Sequence, residues 1–308
     1  MGKIRLALIA GGISGEREVS LKGAAEVEKA LDGEKYDVTR YDPATDLARI
    51  ATDAGKLDAA FILLHGIHGE DGTMQGFLEL LGLPYQGAGV LGSAMAMDKN
   101  LAKTLYRLNG LPVAAWEMAT ISDIDKPEQL LGKLSLPLVI KPVRQGSSLG
   151  MSIVRKPADL PDALQLAFKH DTEVMVEEFV AGREITVGVI GNEELTALPL
   201  VEIIPSKQYD FFDYEAKYKP GATREVCPAE IDDAIRDKAW QYGLAAHKAL
   251  QLKGYSRTDM IVRGEEIFIL ETNTIPGMTE TSLFPQAAAK AGLGFSALLD
   301  RLVQLAMD

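Results

Sequence analysis

The chain opens on a short, largely apolar segment, Ile4 to Ala10, closed by Gly11-Gly12. Its length suits a buried strand and falls well short of a membrane span or signal peptide. A helical segment runs from Ser20 to about Leu31, followed by a strand at Val38 to Tyr41, a second helix and a strand at Ala59 to Leu64. Strands alternating with helices predict a parallel sheet wrapped by helices. Glycines and a proline between Leu81 and Gly89 interrupt the pattern and put a lobe boundary near residue 97.

Beyond it the pattern changes. A helix over Lys99 to Asn109 precedes strands at Leu138 to Lys141 and Met151 to Val154, a helix at Leu160 to Phe168 and a strand at Glu173 to Glu178. This predicts a small α+β unit whose hairpin carries Gly146-Ser147-Ser148-Leu149-Gly150. Strands at Ile185 to Ile190 and Leu195 to Ile203 follow, then an aromatic, charged stretch from Tyr209 to Tyr218. A long helix from about Glu230 to Leu250 and strands at Ser256 to Val262 and Glu266 to Glu271 complete the pattern. No repeat or low-complexity linker interrupts it, so three apposed lobes are expected, over residues 1–97, 98–181 and 182–308.

Composition adds two constraints. The 44 acidic against 32 basic residues leave a formal charge of -12, a surface that repels nucleic acid and anionic lipid. A polyanion would have to bind where Lys and Arg converge locally. The single cysteine, Cys227, allows no intrachain disulfide and has no histidine beside it, so it reads as a packed thiol. The expected address is cytoplasmic.

The candidate chemistry sits at strand ends. Gly11-Gly12-Ile13-Ser14-Gly15-Glu16 lacks the spacing of a dinucleotide fingerprint. It still lies beyond the carboxyl end of a first parallel strand, where open α/β sheets bind ligands. Glu16 there can meet a substrate ammonium or simply favour a helix start. His65-Gly66-Ile67-His68-Gly69-Glu70-Asp71-Gly72 follows a strand too, and its glycines suit close approach to a substrate better than zinc ligation.

Lys99 opens a helix, and Lys141 ends an apolar strand, where a buried ammonium calls for an anion. The Gly146–Gly150 hairpin has no Walker lysine but offers backbone N–H groups and hydroxyls to phosphate oxygens. In the strand Val174 to Val180, Glu177, Phe179 and Val180 suit an adenine edge, and Glu184 suits a ribose. Asp259 on one strand, with Glu271 and Asn273 sharing a face on the next, forms an oxygen-rich set suited to magnesium. Arg257 has the parity of Asp259.

Together these segments resemble the ATP-grasp ligases, and within them the D-alanine–D-alanine ligase family. The resemblance rests on Glu16-Arg17-Glu18-Val19-Ser20, His65-Gly66 with Gly69-Glu70-Asp71-Gly72, Met97-Asp98-Lys99, Gly146-Ser147-Ser148, Tyr214-Glu215-Ala216-Lys217-Tyr218, and Glu271-Thr272-Asn273-Thr274 with Pro276-Gly277-Met278-Thr279. It covers the chain in order. It implies a three-lobed ATP-grasp fold, an N-terminal Rossmann-like parallel α/β lobe and two α+β lobes enclosing ATP. The implied reaction joins two D-alanines through a D-alanyl phosphate, for peptidoglycan precursors.

The resemblance also implies roles. Lys99 and Lys141 would hold the ATP phosphates, while Glu177, Phe179, Val180, Glu184, Phe211 and Leu270 would seat the nucleotide. Asp259, Glu271 and Asn273 would ligate two magnesium ions, with manganese as a substitute. Glu16, Ser147 and Tyr218 would form a triad at the first D-alanine, near His65. Lys217, Arg257, Gly277 and Ser282 would surround the transferred phosphate, the oxyanion and the second D-alanine carboxylate. A homodimer is implied as well. Ile275 and Glu178 depart from commoner versions, which carry a small polar residue and a lysine there. The Tyr209–Tyr218 stretch looks like a mobile loop of the dipeptide-forming type. Two alternatives remain: a ligase for another amino-acid pair, and a nucleotide sensor without turnover.

Overall fold

In the structure, a computed structural model, residues 2–206 and 223–308 are described. Phe211, Lys217, Tyr218 and the whole aromatic, charged stretch from Tyr209 to Tyr218 lie outside them.

The N-terminal part is built on β1 (Ile4–Ile9), α1 (Arg17–Ala30), β2 (Tyr36–Tyr41), α2 (Pro43–Asp53) and β3 (Ala59–Ile62). The strands form a parallel sheet in the order β2-β1-β3. Strand β1 is buried on both faces, as a wrapped parallel sheet requires. Leu6 and Leu8 enter one apolar cluster, and Ala7 and Ile9 enter another. Burial of this kind contributes about 1.5–3 kcal/mol per large aliphatic side chain. Helices α3 (Thr73–Leu80), α4 (Val90–Met97) and α5 (Lys99–Leu108) carry the chain onward.

The central part holds β4 (Trp116–Ala119), α6 (Glu128–Leu131), β5 (Leu138–Pro142), β6 (Ser152–Val154), α7 (Leu160–Ala167) and β7 (Val174–Glu178). Its sheet runs β4-β7-β5-β6, all pairs antiparallel. The two-residue period divides the faces. Leu138, Ile140, Val174 and Val176 pack with Leu160 and Leu164 of α7, so Val139, Lys141, Met175 and Glu177 point to the other side.

The third sheet combines β8 (Arg183–Gly191), β9 (Thr196–Ala197), β10 (Val201–Pro205), β11 (Thr223–Val226), β12 (Gly254–Arg263) and β13 (Glu266–Asn273). Its order among the described residues is β11-β10-β8-β12-β13, with β9 added beside β8. The segment expected as one strand, Leu195 to Ile203, is two short ones separated by Leu198 to Leu200. Helix α8 (Asp233–Ala249) packs on one face through Ala239 and Ala246. Helices α9 (Leu283–Lys290) and α10 (Phe295–Met307) lie against the opposite side. There Phe284, Leu298 and Leu302 join Leu6 and Leu8 of β1 and Tyr255 of β12 in a single core. The parallel sheet and the large antiparallel sheet are thus joined through α9 and α10. No described helix is long and apolar enough to cross a membrane.

Candidate active site

A cleft opens between the central sheet and the large sheet. The hairpin between β5 and β6 forms one side and β12 and β13 the other. Its lining brings together Lys99, Lys141, Ser147, Glu177, Phe179, Val180, Glu184, Asp259, Leu270 and Glu271. The cleft wall includes Val139, Ile153 and Ile261 as apolar surface, which suits the flat ring of a base. The Phe179 N–H is already donated to the Pro137 carbonyl at 2.9 Å. Its side chain and carbonyl are therefore what it can offer a ligand.

Charge is concentrated at the cleft floor. Lys141 Nζ donates to Glu177 Oε2 at 2.6 Å. Lys103, fully buried on α5, pairs with the other carboxylate oxygen, Glu177 Oε1, and donates to the Ile269 carbonyl at 3.3 Å. Burial works to raise the Glu177 pKa, but the two ammonium groups outweigh it and hold the carboxyl below its ordinary range. One turn before Lys103, Lys99 Nζ donates to the Gln145 carbonyl at 2.8 Å and lies 3.5 Å from Glu271 Oε2.

Across the cleft, β12 and β13 pair so that Asp259 faces Glu271 and Arg257 faces Asn273. Arg257 donates twice to Asp259, at 2.8 and 2.7 Å. Asn273 Nδ2 donates to Asp259 Oδ2 at 3.0 Å, and the Thr186 hydroxyl donates to Asp259 Oδ1 at 2.6 Å. Half-buried beside Asp259, Glu271 and Glu70, Arg257 stays charged. Desolvation opposes its charge, but the neighbouring acids raise its pKa above the usual value. Asp259, Glu271 and Asn273 are therefore oxygen-bearing side chains gathered on one strand pair, a donor set suited to a hard divalent cation. Binding such a cation would require Asp259 to release part of its hold on Arg257.

Where Ser147 lines the cleft, loops gather a second cluster of side chains beside it. Arg17 ties the Gly11-Gly12 turn to Asp42, donating to Asp42 Oδ2 at 2.5 Å and to the Gly12 carbonyl at 2.7 Å. That hydrogen bond holds the Asp42 carboxyl down at about 2. The same turn delivers Glu16 at the start of α1. Its carboxylate accepts a hydrogen bond from Ser147 Oγ of the distant hairpin. Gly66 and Gly146 both approach Glu16 Oε2 so closely that an added Cβ would stand 3.3 and 3.0 Å from it.

His65 is buried here, and burial lowers its pKa. Glu70 accepts from the Gly66 N–H at 2.8 Å, and burial, reinforced by the charge of Glu16, raises its carboxyl to about 7. Asp71 serves the backbone, accepting from the N–H groups of His68 and Thr73. His68 is exposed, and among the described residues no cluster of three His, Cys, Asp or Glu side chains could hold a metal. Beyond β13, an added Cβ on Gly277 would lie 3.2 Å from Ser282 Oγ. That hydroxyl accepts from the Thr279 N–H at 3.1 Å, at the start of α9.

Comparison with known proteins decides the family. The family profile described as D-ala D-ala ligase C-terminus matches residues 105–304, and the one described as D-ala D-ala ligase N-terminus matches residues 42–88. The chain belongs to the D-alanine–D-alanine ligase family. It is 58% identical over 306 residues to a D-alanine–D-alanine ligase of Syntrophobacter fumaroxidans, covering 99% of this chain and 98% of the relative. A Desulfotalea psychrophila D-alanine–D-alanine ligase is 56% identical over 309 residues, with 99% and 96% covered.

Two solved ligases share the architecture. The Bacillus anthracis D-alanine–D-alanine ligase complexed with ATP superposes with a TM-score of 0.85 at 32% identity, covering 99% of this chain and 97% of that one. A D-Ala:D-Ser ligase from Enterococcus faecalis gives 0.85 at 34% identity, covering 99% of each chain. The mixed α/β architecture is thus the ATP-grasp ligase fold.

Against this ligase framework, the structure brings Lys99, Lys141, Ser147, Glu177, Asp259 and Glu271 to one cleft, with Arg257 and Asn273 bonded to Asp259, Glu16 bonded to Ser147, and His65 within the field of Glu16. Sequence reasoning passes over Lys103 and leaves Glu70 without a role. Lys103 falls at i+4 from Lys99 with Ala102 and Tyr106, all three buried, whereas Leu101 and Leu108 of the same helix are exposed. That burial is set by the later strands packed on the helix, so the sequence around Lys103 carries no local signal of it. Cys227 is half-buried against the main core, with burial raising its thiol pKa.

Proposed function

We propose that this chain joins two D-alanine molecules into D-alanyl-D-alanine, converting ATP to ADP and phosphate. One observation carries the reading. Ser147 of the nucleotide-side hairpin is hydrogen-bonded to Glu16 of the loop cluster, so a triphosphate and an amino acid would meet at one point.

The chemistry follows from charge. Attack on a carboxylate would add negative charge to an anion, so the first D-alanine is activated as its acyl phosphate. A carboxylate oxygen bonds to the terminal phosphorus as the bond to ADP breaks. This step depends on positioning and neutralisation. Lys99 and Lys141 hold the phosphates, while Phe179, Val180, Glu184 and Leu270 enclose adenosine beside Glu177. Asp259, Glu271 and Asn273 would hold two magnesium ions, or manganese, which supply Lewis-acid charge to the phosphates when bound.

Glu16 receives the ammonium of the first D-alanine, with His65 beside it. The amine of the second D-alanine then forms the C–N bond, and phosphate leaves. Arg257 and the Gly277 N–H face the oxyanion of that step, and Ser282 the incoming carboxylate. Phe211, Lys217 and Tyr218, outside the described residues, are proposed for the nucleotide, the phosphate and the Glu16–Ser147 triad by resemblance alone. A division into lobes at 1–97, 98–181 and 182–308, a homodimer and a cytoplasmic site of action complete the proposal.

The D-Ala:D-Ser relative keeps a second reading in view, in which another amino acid takes the second position. Phosphate release, measured with ATP and magnesium chloride, should require D-alanine and remain at background with L-alanine. Release supported by L-alanine, or release only when D-serine is added, would replace the substrate assignment while sparing the fold.

A further inference from the structure

We propose that Lys103 is a positioning residue for the nucleotide: it supplies the counter-charge to Glu177 that leaves the charge of Lys141 available to ATP phosphates. The inference rests on the ATP reading above and concerns a residue that the cleft does not expose. Lys141 and Glu177 line the cleft, whereas Lys103 lies beneath it, fully buried. The ammonium of Lys103 meets Glu177 Oε1, the Ile269 carbonyl at 3.3 Å and the ring of Trp116 at 5.9 Å.

Charge balance in a poorly solvated place gives Lys103 this role. Glu177 and Lys141 alone form a neutral pair, and a neutral pair at 2.6 Å exerts little net attraction on a polyanion. Two ammonium groups on one carboxylate leave a net positive charge, and Lys141 is the member that faces the cleft. Lys103 also fixes where that charge sits. It grips one carboxylate oxygen, so the other is directed at Lys141 and holds the ammonium at the end of β5. Because β5 and β7 set Val139 opposite Glu177, Lys141 reaches the carboxylate only along the diagonal, and the grip from below keeps that geometry.

Three proteins test this by calorimetric binding of ATP with magnesium chloride and by steady-state kinetics: the parent, Lys103→Met and Lys103→Arg. Lys103→Met should raise the Kd and KM for ATP on the order of tenfold, with kcat and the KM for D-alanine each within about threefold of the parent. A merely structural loss would instead lower kcat in proportion to the inactive fraction. Lys103→Arg keeps the cation beneath Glu177, so its ATP affinity should stay within about threefold of the parent.

Unchanged ATP affinity in a folded Lys103→Met protein overturns the proposal, as does a folded Lys103→Arg protein weakened about tenfold. Should Lys103→Met fail to fold, Lys103→Gln, which keeps a donor to Glu177 without the charge, takes its place under the same criterion. A parent that binds no ATP would instead overturn the function on which the inference rests.

Discussion

The nucleotide cleft and the loop cluster beside it handle charge in opposite ways. In the cleft, ionic side chains project from regular elements and are paired: Lys103 and Lys141 with Glu177, Arg257 with Asp259. In the loop cluster beside it, Glu16 and Glu70 are held by glycine-rich turns, and the charge of Glu16 helps to raise the Glu70 carboxyl. The difference matches the ligands. A polyphosphate brings a large negative charge that Lys99 and Lys141, held on regular elements, can receive. A zwitterionic amino acid brings an ammonium, which an acid-rich cluster would welcome, at the cost of poorly compensated carboxylates in its absence.

With charge divided in this way, damage to each region should affect different steps. Arg257→Ala should have the largest effect, lowering dipeptide formation by about 10²–10³-fold. ATP affinity should stay within about threefold of the parent, and quantifying dipeptide alongside calorimetry checks both. Loss of nucleotide binding in that variant would merge the two regions. Glu16→Gln should raise the KM for D-alanine by roughly 10–100-fold, since it removes the carboxylate expected to meet the ammonium. Its KM for ATP should be nearly unchanged.

Two further changes carry the contrast into stability. Gly72 starts α3 at a φ of +90°, and an added Cβ would stand 2.6 Å from the Val90 carbonyl oxygen. Gly72→Ala should therefore destabilise the protein by about 1–3 kcal/mol, read as a lower denaturation midpoint. The smallest effect concerns Glu70. Its carboxyl titrates at about 7 when folded, against 4.5 for an ordinary glutamate, so the native state holds a proton that the unfolded chain releases earlier. Stability is then favoured below about 4.5 and falls as pH rises towards about 7. Glu70→Gln should remove about 1–2 kcal/mol of that decline. Urea unfolding of both proteins at about pH 5 and about pH 7.5, either side of the folded titration, checks the sign. Parallel curves for the two would show that Glu70 does not titrate in this window.

Much of this architecture is legible in the amino-acid sequence, for a physical reason. Period-two alternation fixes which strand residues share a face, so Arg257, Asp259, Glu271 and Asn273 can be grouped from spacing alone, and their hydrogen bonds agree. Alternating strands and helices identify the parallel sheet. What stays hidden depends on contacts distant in sequence. The 131-residue separation between Glu16 and Ser147 carries no local pattern, although the family resemblance groups them. Lys103 reads locally as a solvated helix face because its partners, Glu177 and Ile269, come from strands much later in the chain. Likewise, α9 and α10 supply core to the first sheet, which no reading of the first 97 residues could contain.

The most direct test is mass spectrometry of the products formed from ATP, magnesium chloride and an equimolar mixture of D-alanine, L-alanine, D-serine and D-lactate. D-alanyl-D-alanine should dominate, accompanied by ADP and phosphate. A dominant product of any other composition, or ATP consumed with no peptide formed, would contradict the assignment.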